Sequence, residues 1–193
     1  MHASICDILT DIVQNAIEAG ASRVELDVRT GPDRIGVRVA DNGKGMDSET
    51  LRMATNPFFS EAGKHSRRRV GLGLPLLLQT AEAAGGWAKI ESAPGAGTTV
   101  TFEMDARNLD TPPMGDLPGT LLGLLTFGDC ELAVTRATPT DSYTLSRSEL
   151  TDALGTLSDA GALALARDFL RSQEDNLIHN PTPRIQEGQQ SNG

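Results

Sequence analysis

The sequence predicts an α+β fold in which antiparallel strands pack one face against helices. Apolar residues recur at helical spacing through residues 4–19, which predicts a first helix. Apolar and charged residues alternate in 23–29 and 34–40, on either side of a Gly-Pro-Asp turn, which predicts a strand pair. A second pair is predicted at 87–92 and 98–104, around a glycine turn. Since charged positions alternate with apolar ones, one face of the strands packs on the helices.

The composition is that of an ordinary globular protein. The chain has 193 residues, of which 38% are hydrophobic and 22% charged, and this length allows one well-buried core. The formal net charge of -9 disfavours nucleic acid as a partner, because phosphate backbones favour proteins with clustered Lys and Arg. One basic run lies at 64–69, where a solvated loop and a phosphate-binding segment are equally open interpretations.

The cysteines and the hydropathy pattern bear on the compartment. Cys6 and Cys130 have apolar neighbours and no CxxC or Cys/His spacing, so we interpret both as reduced core residues. No apolar run approaches the length of a membrane span, and the N-terminus lacks a basic segment followed by an apolar one. We therefore expect a cytoplasmic protein with no membrane partner.

The first predicted helix carries two polar residues beside its apolar stripe. Ser4 is placed as its N-cap and Gly20 as its C-terminal stop. Asp11 and Asn15 lie one turn apart on one flank of the stripe. On spacing alone such a pair is usually just solvated; the alternative is a carboxylate and an amide that act together at the rim of the core. The stripe consists of Ile5, Leu9, Ile12 and Ala16.

A turn that begins with an acid follows the second predicted strand. Residues 41–46 read Asp-Asn-Gly-Lys-Gly-Met, directly after the alternation of Ile35, Val37 and Val39. A strand that ends in such a turn presents one carboxylate at its tip, and glycines let the backbone approach a flat ligand closely. Ordinary surface turns have the same composition, so the turn alone leaves both interpretations open. Residues 47–54 then predict a short helix with an acidic cap.

A glycine segment precedes the next predicted helix. Residues 60–70 have no apolar period and include the basic run, which predicts a mobile loop. Residues 71–75, Gly-Leu-Gly-Leu-Pro, lead into a helix that ends at Gly85 and Gly86. The glycines are compatible with tight packing alone, yet the unpaired N–H groups of a helix N-terminus also suit a polyphosphate. The sequence contains no Walker motif, GxxxxGK(S/T).

The composition changes after residue 105. Prolines mark 106–118 as a linker between an N-terminal domain, 1–105, and a small α+β extension, 119–172. Polar residues predict a disordered tail over 173–193. In the extension we expect a helix near 121–125, strands near 131–136 and 143–145, and helices from about Arg147 and Asp159. The apolar stripe of the last of these helices either packs on its own neighbours or forms a partner-binding face.

Four segments in this order resemble the nucleotide-binding domain shared by gyrase, the Hsp90 chaperones, histidine kinases and the MutL mismatch-repair proteins, the GHKL superfamily. They are 11–16 (Asp-Ile-Val-Gln-Asn-Ala), 41–46, 71–74 and 95–99 (Gly-Ala-Gly-Thr-Thr). The resemblance covers about residues 4–104. It implies the Bergerat ATP-binding fold, a two-layer α/β sandwich whose mixed, mostly antiparallel sheet is covered on one face by helices.

The resemblance also implies an adenine site at the turn after the second strand. Asp41 would accept a hydrogen bond from the adenine, and Thr98 would support it through an ordered water. Gly45 would let the base lie against the backbone, and Met46 would contribute an apolar contact.

A metal and phosphate site is implied by the same resemblance. Asn15 would be the Mg²⁺ ligand, since an amide oxygen is a hard ligand suited to that ion. Asp11 occupies the position at which ATP-hydrolysing members carry a glutamate that activates water, and it is the candidate catalytic residue. The remaining implied contacts to the nucleotide are Gly43, Lys64, Gly71, Leu72, Gly73 and Leu74.

Within the superfamily the resemblance divides between two branches. Segments 56–59 (Asn-Pro-Phe-Phe), 71–74 and 95–98 look like the catalytic domain of histidine kinases, whereas the first helix is similar to that of MutL and gyrase. We expect a stand-alone protein of the histidine kinase type, which uses ATP and Mg²⁺ to phosphorylate or regulate a separate, unidentified protein. The alternatives are a nucleotide-gated binding module and a slow ATPase that works through Asp11, whose side chain is one methylene shorter than glutamate.

Overall fold

The computed structural model describes residues 4–57 and 73–179, and this part of the chain contains six helices and six strands. Helices and strands occur where the periodicity predicts them, so the α+β class is confirmed. The elements are α1 (Ile5–Glu18), β1 (Arg23–Thr30), β2 (Arg34–Asp41), α2 (Ser48–Ala54), α3 (Gly73–Ala83), β3 (Trp87–Ala93), β4 (Gly97–Asp105), α4 (Leu117–Thr126), β5 (Glu131–Ala137), β6 (Ser142–Ser146), α5 (Arg147–Leu154) and α6 (Ala160–His179).

The six strands form one mixed sheet in the order β3-β4-β2-β1-β5-β6. Strands β1 and β5 pair in parallel, and the other four pairs are antiparallel. The sheet is therefore mixed and mostly antiparallel, as expected for the Bergerat fold.

Alternation along the strands sends apolar side chains to one face of the sheet. Leu26, Val39 and Val100 are buried and lie in register across three neighbouring strands. The opposite face carries charged side chains such as Arg38, which lies 3.5 Å from the carboxylate of Asp27. The helices thus cover the apolar face of the sheet. Large helix residues buried against the apolar face are Ile5, Ile8, Leu9, Leu77, Leu121, Leu125 and Leu170.

The ends of α1 follow from local capping. The hydroxyl of Ser4 accepts the N–H of Asp7 at 3.2 Å, which satisfies one of the donors that the first turn leaves unpaired. The helix ends at Glu18, and Gly20 follows with a φ of 78°, a conformation that favours glycine. Both predicted caps are confirmed. None of the helices in residues 4–57 and 73–179 combines the length and the apolar content that a bilayer crossing needs.

The C-terminal part of the chain enlarges the same sheet and core. Strand β5 pairs with β1, and Leu132, Val134 and Leu170 belong to the cluster that contains the core of α1. Helix α4 begins at Leu117, so the predicted linker 106–118 is wrong in its last two residues. Helix α6 continues to residue 179, so the predicted disorder is wrong for residues 173–179. Residues 180–193 lie outside the described part.

A buried ion pair fastens α6 to the sheet. Arg136 of β5 and Glu174 of α6 are 2% and 6% exposed, and Nε of the arginine lies 3.2 Å from Oε1 of the glutamate. The guanidinium also donates to Thr30 Oγ1 at 2.9 Å and to the carbonyl of Ala137 at 2.8 Å. Tyr143 Oη donates to the same glutamate at 2.7 Å, and burial and this carboxylate raise the pKa of Tyr143. A charged residue such as Glu174 is normally expected at the surface. Its pairing with Arg136 allows it to be buried.

Candidate functional site

The turn after β2 is held by the side chains of Asp41, the last residue of the strand, and Asn42, which follows it. Asp41 Oδ1 accepts the N–H of Gly43 at 2.7 Å. Asn42 Oδ1 accepts the N–H groups of Ser22 and Arg23, both at 2.9 Å. The asparagine therefore ties the turn to the start of β1, which fixes the position of the neighbouring aspartate.

Asp41 and Thr98 lie side by side at one end of the sheet. Strands β2 and β4 pair Val39 with Val100 and Ala40 with Thr99, so the next position sets Asp41 opposite Thr98. Because side chains alternate along a strand, both point to the same face as the buried Val39 and Val100. Both are half-buried. A carboxylate and a hydroxyl thus extend the apolar face of the sheet at its end.

Two glycines bring the turn after β2 against the turn before β4. Gly45 has a φ of 64°, and a Cβ built on it would overlap the carbonyl oxygen of Ala93. Gly97 has a φ of 78°, and its Cβ would overlap the carbonyl oxygen of Asp41. The N–H of Gly95 also donates to the carbonyl of Lys44 at 2.8 Å. Gly45, which was predicted to admit a ligand, therefore also allows this close contact of two backbones, together with Gly97.

Ser92 is a residue of this site that the sequence analysis missed. Its hydroxyl lies 2.8 Å from the backbone nitrogen of Met46, 2.9 Å from the carbonyl oxygen of Gly97 and 3.0 Å from Oγ1 of Thr98. It pairs with Thr98 across β3 and β4. A signal was present, since Ser92 is a polar residue two positions after Ile90 and therefore lies on the same inward face of β3.

The start of α3 faces the polar flank of α1. A Cβ built on Gly73 would lie 3.6 Å from Oδ2 of Asp11 and 3.9 Å from Nδ2 of Asn15. The structure thus brings these three predicted residues together. Leu74 is partly buried against the core, so it serves packing. A helix N-terminus beside a carboxylate and an amide supplies donors, a positive dipole end and hard oxygen ligands in one place.

One flank of α1 connects this group with the turn after β2. Asp11, Asn15 and Ala19 are spaced four residues apart, so they lie along the same side of the helix. The carbonyl of Ala19 accepts the N–H of Lys44 at 3.0 Å, and a Cβ on Gly43 would lie 3.1 Å from the same oxygen. The two predicted groups are therefore parts of one surface. Three predicted site residues, Lys64, Gly71 and Leu72, lie outside the described residues, as does the predicted loop 60–70.

Comparison with known proteins supports the sequence resemblance. The profile of the histidine kinase-, DNA gyrase B- and HSP90-like ATPase family matches residues 2–108. The signal transduction histidine-protein kinase AfsQ2 of Streptomyces coelicolor is 31% identical over 113 residues, which are 58% of this chain and 21% of the kinase. The sensor histidine kinase ZraS of Klebsiella oxytoca is 36% identical over 98 residues, 49% of this chain and 20% of that protein. The chain thus spans about a fifth of the length of these kinases.

The second branch of the resemblance is also represented. The DNA mismatch repair protein MutL of Chromohalobacter salexigens is 43% identical over 47 residues, 24% of this chain and 7% of that protein. The solved structure of the N-terminal domain of a DNA repair protein matches 84% of this chain and 59% of its own chain, with a TM-score of 0.50 and 15% identity. That likeness shows the fold. With a family profile that matches more than half of its residues, the chain belongs to the histidine kinase-, DNA gyrase B- and HSP90-like ATPases.

Proposed function

We propose that the protein binds ATP with Mg²⁺ and transfers the terminal phosphate to, or thereby regulates, a separate protein. The observation that carries this proposal is the single surface along α1, with Asp41 and Thr98 at one end and Asp11, Asn15 and Gly73 at the other. This surface has one end suited to a base and another suited to phosphates. Family membership and the histidine kinase relatives support the same function.

The end of the surface at Asp41 suits adenine. A carboxylate accepts hydrogen bonds only, and the amino group of adenine donates them. Gly43 N–H already orients Asp41 Oδ1 at 2.7 Å, so the acid does not need to reorganise when a base arrives. Met46, half-buried in the same turn, offers an apolar and polarisable side chain to the ring.

The residues at the other end fit a magnesium ion bound together with phosphates. Mg²⁺ takes oxygen ligands in octahedral geometry, keeps several waters and is bound by a few protein groups together with substrate phosphates. Asn15 would supply an amide oxygen, and the carboxylate of Asp11 lies on the same flank of α1. When bound, the ion would neutralise phosphate charge.

The start of α3 suits the phosphate chain. Its N–H groups at Gly73 and Leu74 belong to the first turn, where a helix leaves donors unpaired. Lys64, Gly71 and Leu72 complete the proposed phosphate contacts by sequence. In such a transfer the protein positions the terminal phosphoryl group, whose bond to ADP breaks as a bond to the acceptor of the partner forms.

Incubation with ATP labelled in its terminal phosphate tests the proposed function. We expect label to appear on a partner protein when the full chain and that partner are present together, and not with either alone. Release of labelled inorganic phosphate that is lost in Asp11→Asn would instead favour slow hydrolysis through that residue. ATP that is bound and recovered intact, with every candidate partner, would favour a nucleotide-gated binding module. A chain that retains no ATP would contradict all three.

A further inference from the structure

We infer that Ser92 is a positioning residue that fixes the hydroxyl of Thr98 as a hydrogen-bond acceptor, so that the site prefers a purine with an amino group at position six. This inference rests on the proposed function, because it concerns the base end of the proposed nucleotide site. Its basis is a count of the protons around one hydroxyl group.

Three polar groups surround Ser92 Oγ. The backbone nitrogen of Met46 lies at 2.8 Å, the carbonyl oxygen of Gly97 at 2.9 Å and Oγ1 of Thr98 at 3.0 Å. All three distances are those of hydrogen bonds. They come from the turn after β2, the start of β4 and the side chain opposite Ser92 in the sheet. One hydroxyl thus joins the elements that form the base end of the site.

Only one arrangement of protons satisfies all three contacts. A serine hydroxyl has one proton to donate and two lone pairs to accept with. The carbonyl of Gly97 accepts only, so the proton of Ser92 points to it. The N–H of Met46 donates only, so it takes one lone pair of Ser92. The remaining lone pair faces Thr98, whose hydroxyl must therefore donate its own single proton to Ser92.

The consequence lies on the other side of Thr98. With its proton committed to Ser92, its hydroxyl offers lone pairs alone to anything else that it meets. Asp41, beside it on the same face, also accepts only when ionised. Adenine presents an amino donor at position six, whereas hypoxanthine presents a carbonyl acceptor there. The site is therefore matched to the first base and mismatched to the second, because the carbonyl of hypoxanthine would face acceptors alone, either directly or through a bridging water whose two protons Thr98 and Asp41 already take.

Calorimetric titration of the full chain with ATP and with ITP, both with Mg²⁺, tests this inference. Wild-type protein is expected to bind ATP at least about tenfold more tightly than ITP. In Ser92→Ala the proton of Thr98 is released and can turn towards a carbonyl, so the ratio of the two affinities should fall by about tenfold. If Ser92 only supported the turn, both affinities would fall together, and an unchanged ratio would overturn the inference.

Two further variants separate proton order from damage to the turn. In a Thr98→Val background, Ser92→Ala is expected to leave the ratio unchanged, because no hydroxyl remains to be released; a ratio that still falls contradicts the inference. Ser92→Cys nearly keeps the volume of the side chain but supplies only a weak donor and acceptor. We expect it to lower the ratio of the ATP and ITP affinities by less than Ser92→Ala does, and it provides the test if Ser92→Ala does not fold. Wild-type protein that binds neither nucleotide overturns the proposed function and this inference together. A wild-type preference for ATP that substitution of Ser92 leaves unchanged overturns the inference alone.

Discussion

Gly97→Ala is expected to lower the free energy of unfolding by about 3 kcal/mol or more and to abolish nucleotide binding. The φ of 78° at this position disfavours a side chain, and the new Cβ would overlap the carbonyl oxygen of Asp41. Relief requires β4 to move away from the turn after β2, which separates Thr98 from Asp41. Chemical denaturation followed by circular dichroism measures the first effect, and calorimetric titration with ATP and Mg²⁺ measures the second.

Gly95→Ala is the matched control for that prediction. Gly95 lies two residues earlier in the same turn with a φ of 76°, yet a Cβ built on it meets no atom within 4 Å. It therefore isolates the conformational cost, about 1 kcal/mol. Equal losses in the two variants would show that the backbone contact between Gly97 and Asp41 contributes nothing.

Glu174→Gln is expected to lower the free energy of unfolding by about 3–5 kcal/mol. The substitution keeps the volume of the side chain but leaves Arg136, which is 2% exposed, without its counter-charge. Tyr143 would keep a weaker acceptor for its hydroxyl. Chemical denaturation followed by circular dichroism measures this loss.

An exposed ion pair in the same sheet provides the comparison. Lys89 and Glu91 approach within 2.7 Å, but their side chains are 62% and 59% exposed. Glu91→Gln is expected to change the stability by about 1 kcal/mol or less, because solvent screens such pairs. If Glu174→Gln costs no more than Glu91→Gln, the ion pair does not fasten α6 to the sheet.

Local signals determined most of what the sequence predicted of the fold. Periodicity predicted α1, β1 and β2, and polar caps fixed the start of α1 at Ser4. The parallel pairing of β1 with β5 was not predicted, because it joins segments that are about a hundred residues apart and have no shared local pattern. The end of α6 was misplaced for a related reason. The burial of Glu174 depends on Arg136, which is distant in sequence.

In the candidate site, too, local patterns predicted some residues, whereas contacts between distant segments required the structure. Helical spacing placed Asp11 and Asn15 on one flank, and the structure sets both beside Gly73, which a resemblance of motifs had assigned to the same site. The role of Ser92 was missed, because a single inward serine acquires meaning only when the register of β3 and β4 sets it against Thr98. Gly97 was recognised as part of a motif, but its contact with the backbone of Asp41 required the structure.

The central claim is that Asp41 recognises the base of ATP, and a titration of wild-type protein and Asp41→Asn with ATP and Mg²⁺ tests it most directly. Asp47→Asn is the control, since Asp47 is an exposed cap that accepts the N–H of Thr50 at 2.7 Å, and asparagine caps a helix equally well. We predict that Asp41→Asn binds ATP about tenfold or more weakly than wild type, and that Asp47→Asn binds like wild type. Equal affinity in a folded Asp41→Asn variant would contradict the account.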